Sequence, residues 1–127
     1  MPIQLNHTVV PARSAAVTAQ FWSEVLGLPA PVPAGPFLSV STANGVDLDF
    51  ADTSDDSFSR IHYAFLVSDD EFDAIYRRIK DRSLDHWADP RQRRPQEINH
   101  NHGGRGVYFC DPDGHYLEAL TRPYGSG

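Results

Sequence analysis

Cysteine is almost missing from this chain, and that closes several routes at once. With Cys110 as the single thiol, no intramolecular disulfide can form, and a cysteine-rich zinc site is excluded. Long apolar runs are also lacking. None approaches the ~20 residues that a membrane-spanning helix needs. The N-terminus has neither the charged start nor the apolar stretch of a secretory signal, so the expected location is cytoplasmic. Positive charge is scarce, with 11 Lys and Arg against 17 Asp and Glu, a net charge of −6 and a pI near 5.3. That balance argues against nucleic acid or an anionic membrane as the main partner. The local exception is Arg91-Gln92-Arg93-Arg94, which reads as a solvated loop, with contact to an anionic substrate as the minority reading. No P-loop, GxGxxG or Ser-His-Asp ordering is present.

What remains is one domain's worth of globular chain, 127 residues with 40% apolar side chains. "IQLNHTVVP" alternates and is rich in β-branched residues, so it reads as a strand ended by Pro11. From Ser14 the period changes: Val17, Phe21, Val25 and Leu28 recur at helical spacing, and Gly27 marks the end. "GPFLSVST" and "GVDLDFAD" follow as two short strands joined by a turn at Ala43-Asn44-Gly45. The order then begins again. "RIHYAFLV" reads as a strand, and Ser68 with Glu71 has capping-box spacing before a helix with Phe72, Ile75 and Ile79 on one face. "DHWAD" is a candidate short strand, and Arg91 to Gly104 is a long polar loop. "RGVYFC" and "HYLEALT" close the chain as a hairpin around Asp111-Pro112-Asp113-Gly114.

This is an internal duplication, with module one at 1–53 and module two at 58–123, within a single domain spanning 1–127. "GVDLDF" lies over "GHYLEA", which sets Asp49 over Glu118. "LNHTVV" lies over "RIHYAF", which sets His7 over His62. Four polar residues thus occupy repeat-equivalent places on apolar strands. A buried unpaired carboxylate is costly and must be paired, neutralised or metal-bound. Two imidazoles and a carboxylate form a first shell for Fe(II), Mn(II), Zn(II), Ni(II) or Co(II), and open positions beyond them suit catalysis.

Each residue alone has a plainer reading. Either histidine could be an ordinary core or surface residue, Asp49 could point to solvent, and Glu118 could pair with Arg105 or Arg122. Their coincidence in two copies favours the metal. His100 and His102 read as surface-loop residues, His115 is not assigned to the site, and Cys110 reads as a small packed residue.

The sequence resembles the vicinal oxygen chelate superfamily, which includes glyoxalase I, fosfomycin-resistance proteins, extradiol dioxygenases and bleomycin-resistance proteins. The stretches that carry the resemblance are "LNHTVVPA", "AAVTAQFWSEVLGLP", "IHYAFLV" and "GRGVYFCDPDGHYLEALTRP". It implies an α+β fold, two tandem βαβββ modules forming a cupped, barrel-like mixed sheet with the helices outside. It also implies one divalent metal per site, held by His7, His62 and Glu118, with Asp49 as a possible fourth ligand one methylene shorter than the usual Glu. Glu118 is then the catalytic carboxylate, a small molecule the substrate and a homodimer the assembly, its sites built from one chain or from two.

Two further expectations concern the cavity. If Cys110 pairs with His115 across the turn, Val107 faces Glu118, and Arg105, Phe109 and Tyr116 line the cup. A one-residue slip would exchange them for Gly106, Tyr108 and Leu117. Plain core packing is the other reading of Phe109 and Tyr116.

The implied chemistry is glyoxalase- or dioxygenase-like, with the metal polarising vicinal oxygens of a small aromatic or polyketide-like molecule. Val9 stands where fosfomycin transferases have threonine near the first histidine. The alternative is a metal-free protein of the bleomycin-resistance kind that sequesters a drug.

Overall fold

A computed structural model describes residues 2–53 and 58–125. The chain divides into two compact units, Met1–Ser59 and Arg60–Gly127. In the first, β1 (His7–Ala12) leads into α1 (Ala15–Leu26), followed by β2 (Val32–Ala34), β3 (Phe37–Ser41) and β4 (Asp47–Asp52). The strand order is β1-β4-β3-β2, with β1 parallel to β4 and the other pairs antiparallel. Because β1 is an edge strand, the N–H that Pro11 lacks can fall on the unpaired side.

Ser14 caps α1 by accepting from the Val17 amide, and Gly27 ends it in the left-handed region at φ 78°, donating to the Ser23 carbonyl. The buried stripe of α1 is displaced from the expected one. Val17 is exposed, whereas Thr18, Ala19, Trp22, Val25 and Leu26 are buried. Trp22 accounts for the rotation: it carries the largest apolar surface and packs edge-on against Phe50, with ring centroids 4.9 Å apart.

The second unit repeats the plan. β5 (His62–Leu66) precedes α2 (Asp69–Asp81), then come β6 (His86–Trp87), β7 (Gly106–Cys110) and β8 (Tyr116–Leu120), in the order β5-β8-β7-β6. Again the first strand is parallel to the last and the others are antiparallel. The registers agree as well. His7 pairs with Asp47 and Val9 with Asp49; His62 pairs with Tyr116 and Ala64 with Glu118. The fold is therefore α+β with two mixed four-stranded sheets, each open rather than closed into a barrel. The three-residue β2 had not been singled out in the sequence. Among the described residues no helix is long and apolar enough to cross a membrane.

The expected capping box is formed: Ser68 Oγ accepts from the Glu71 amide at 3.1 Å, and the Glu71 carboxylate accepts from the Ser68 amide at 2.8 Å. Those bonds, the Ser68 backbone N–H first, hold the Glu71 carboxyl below its ordinary value. A lowered carboxylate stabilises above its unfolded pKa, and that stabilisation is lost as pH falls through the folded value. Ser68→Ala should cost about 1 kcal/mol at pH 7. In urea melts of both proteins, the gap should narrow on acidification below about pH 4.

The closing hairpin departs from the expected register. Cys110 pairs with Tyr116, not His115, so Tyr108 stands opposite Glu118 and Phe109 opposite Leu117. The loop is shorter than its sequence suggests, because Asp111 N–H donates to the His115 carbonyl at 3.0 Å and closes the turn over three residues. The Asp111 carboxylate accepts from the amides of Asp113 and His115, both at 2.9 Å. Gly114, at φ 85°, supplies the left-handed residue that ends a three-residue hairpin loop.

A candidate metal site walled by tyrosines

Alternation of side chains along a strand turns that one-residue shift into a change of face. Tyr108, Tyr116 and Glu118 share one face of the second sheet, while Val107, Phe109, Leu117 and Ala119 occupy the other, all fully buried. His86, level with Phe109, meets the ring of Tyr76 on α2 at 5.3 Å, so this second face is the helix side. Phe109 is thus placed in the core and not beside Glu118.

Arg105 moves with it. Its guanidinium donates to Asp73 at 2.7 Å and to the Asp69 carbonyl and carboxylate at 3.1 Å, and lies 4.6 Å from the centre of the Phe72 ring. It straps β7 to the start of α2. Tyr108 takes the place foreseen for Phe109, and Tyr116 lies on the Glu118 face.

Glu118 is 2% exposed in the middle of β8. Parallel pairing sets it one step along from His62, and the side chains meet on the diagonal: His62 Nε2 lies 3.1 Å from Glu118 Oε1. His62 Nδ1 lies 3.0 Å from the Tyr116 carbonyl oxygen, which can only accept, so Nδ1 carries the proton. The lone pair of a neutral His62 then points at a carboxylate oxygen, an arrangement that calls for a cation or a proton between them. An imidazole oriented by a backbone carbonyl on its far nitrogen is the usual form of a metal-ligating histidine. The donor set therefore fits half of a divalent-metal site.

In the first unit His7 Nδ1 bonds the Asn6 side-chain oxygen at 2.8 Å, an acceptor, so Nδ1 carries the proton here too. Asp49, half-buried, sits diagonal to His7 on β4, as Glu118 does to His62. Among the described residues, no group of three or more His, Cys, Asp or Glu side chains able to hold a metal comes together.

The walls are aromatic. Tyr108 and Tyr116 stack at 5.5 Å and 27°, His62 stacks on Tyr108 at 6.1 Å, and Trp87 lies 6.3 Å from Tyr116. Tyr124, past the end of β8, reaches back so that its hydroxyl donates to Glu118 Oε1 and Oε2 at 2.8 and 2.9 Å. Since its one proton is committed there, the 3.2 Å contact between the two tyrosine hydroxyls is a bond from Tyr108 to Tyr124. Burial raises the Tyr108 pKa above the ordinary phenol value, and the bonded Tyr124 and charged Glu118 raise it further, so Tyr108 keeps its proton.

The remaining histidines and the cysteine stand elsewhere. His115 is buried on the opposite face and accepts from the Ile61 amide at 3.0 Å. Burial pushes the Cys110 thiol up, with Asp111 and Asp85 adding to it, so it is a poor nucleophile.

The sequence profile of the Glyoxalase/Bleomycin resistance protein/Dioxygenase superfamily matches residues 4–119. The chain belongs to this superfamily. Within it, the solved structure of Oxidase ChaP-H1 is 57% identical, covers 98% of this chain and 99% of its own, and superposes with a TM-score of 0.95. Oxidase ChaP-H2 is 55% identical over all of this chain and 99% of its own, also at 0.95. Glutathione transferase FosA of Serratia marcescens is more distant, 26% identical over 90% of this chain and 77% of that protein. The profile match spans both copies of the repeated strand and helix order. It does not reach Tyr124, which lies beyond the matched residues.

Proposed function

We propose that this protein is a metal-dependent oxidase of a small aromatic molecule. The observation that carries the reading is the pairing of an oriented His62 Nε2 with the buried Glu118 carboxylate, 3.1 Å apart. Similarity to two oxidases over almost the whole chain supports oxidation ahead of thiol transfer, since the transferases are similar at about half that identity. In this proposal His62 and Glu118 hold a divalent ion. His7 is the third donor, supplied by the same chain or by a second copy in a homodimer, and Asp49 is a possible fourth. When bound, the ion supplies Lewis acidity toward paired oxygens of the substrate and, if it is iron, a place for dioxygen.

The chain's own residues do the rest. Tyr116, half-buried and stacked on the buried Tyr108, offers aromatic surface to a planar ring. The Tyr116 hydroxyl is held 3.3 Å from the Asp89 carbonyl, which fixes that wall. Glu118 contributes negative charge that stays out of water.

Tag-free protein stripped of metal and titrated with Fe(II), Mn(II), Zn(II), Ni(II) and Co(II) tests the reading. The expected outcome is one ion bound per chain. Mixing His7→Ala with His62→Ala chains then decides who supplies His7: binding regained on mixing means two chains build each site. No binding of any ion would overturn the proposal in favour of metal-free ligand sequestration.

A further inference from the structure

We propose that Tyr124 is a positioning residue for Glu118, bridging both carboxylate oxygens so that the group is held with Oε1 toward His62. This rests on the metal reading above and deepens it. The Tyr124 hydroxyl is within 2.9 Å of both carboxylate oxygens, while His62 Nε2 approaches only Oε1. Were an ion held by His62 and Glu118, the phenol would still have Oε2 to donate to. With the phenol bonded to it, the carboxylate is not free to rotate. Ligating carboxylates are commonly fixed by such outer hydrogen bonds.

The tyrosine is itself held. Its hydroxyl accepts from Tyr108, its ring lies 5.2 Å from that of His102, and the next amide, of Gly125, donates to His102 Nδ1 at 3.2 Å. His102 stands in the left-handed region at φ 59°, in a segment pinned at both sides by Asn99. The Asn99 backbone pairs in both directions with Gly106, and its side chain donates to the Ala88 carbonyl at 2.8 Å. The long polar stretch between β6 and β7 thereby acquires a task, as the anchor of the tail that orients Glu118.

The test is calorimetric titration of metal-free protein with Mn(II) and Co(II), comparing the parent with Tyr124→Phe, His102→Ala and Tyr108→Phe. Tyr124→Phe removes only the hydroxyl and should weaken binding by about 10- to 100-fold; the metal-free protein should stay folded but melt lower, since the buried Glu118 carboxylate loses a donor. The visible bands of the Co(II) form should shift as the carboxylate becomes free to turn. His102→Ala should act in the same direction but less. Tyr108→Phe should add almost nothing once Tyr124 is already Phe, because its influence passes through that hydroxyl.

Unchanged affinity in Tyr124→Phe would overturn the proposal, and tighter binding would make Tyr124 a competitor for the carboxylate. If the parent binds metal and loses it in Glu118→Gln while Tyr124→Phe binds normally, the metal reading survives and this one fails. If the parent binds none, both fail.

Discussion

Glu118→Gln should leave a folded protein whose affinity for divalent metal has fallen by more than about 100-fold, beyond the loss expected from an outer hydrogen-bond partner alone. The glutamine keeps the shape of the side chain and one oxygen able to accept from Tyr124, but it removes the charge a cation needs. Because a buried charge is costly to desolvate, the metal-free variant should melt no lower than the parent and could melt higher. His62→Ala should behave differently. It also loses the metal, but it leaves the Glu118 carboxylate buried with one neighbour fewer, so its metal-free form should be less stable than that of Glu118→Gln. Elemental analysis beside thermal melts of the two variants separates a ligand role from a packing role. Full metal content in Glu118→Gln would remove this residue from the site.

The second large effect is on stability. Phe109→Ala should cost roughly 3–5 kcal/mol, the range for emptying a buried aromatic site. Phe109 is fully buried on the helix side of its sheet. Tyr116→Ala should cost less, because Tyr116 is only half-buried and stands on the other face. If the hairpin instead had the register that places Phe109 beside Glu118, both residues would stand on the same face and the two losses would be similar. Urea denaturation of both variants decides between the registers, since a one-residue slip exchanges the faces of every side chain in the strand.

The duplicated plan could be read in the sequence because its signals are local and recur. The helix end at Gly27, the capping box at Ser68, alternating strands, and polar residues interrupting apolar runs at matching places all survive in one dimension. The pairing of His7 with His62 and of Asp49 with Glu118 needed only the repeat.

The hairpin register was not legible in the same way. It depends on Asp111 turning its carboxylate onto two amides of its own loop, which four letters of turn sequence do not distinguish from a wider turn. That single bond pattern sends Arg105 and Phe109 to the helix side and brings Tyr108 to Glu118. Tyr124 was invisible for another reason. It belongs to no periodic element, and its role arises only where the tail folds back over β8. A tyrosine placed six residues after the buried glutamate was the one available cue.

Two sheets with the same strand order and the same register can diverge position by position without disturbing one another's backbone. Ser39, Asp47 and Asp49 of the first module stand where the second has Tyr108, Tyr116 and Glu118. One half has drifted toward small and acidic side chains, while the other has gathered aromatic ones around a single carboxylate. The matching registers offer an engineer a scaffold position for position. Writing the tyrosines and the longer acid into positions 39, 47 and 49 would ask whether the first module can be taught the work of the second.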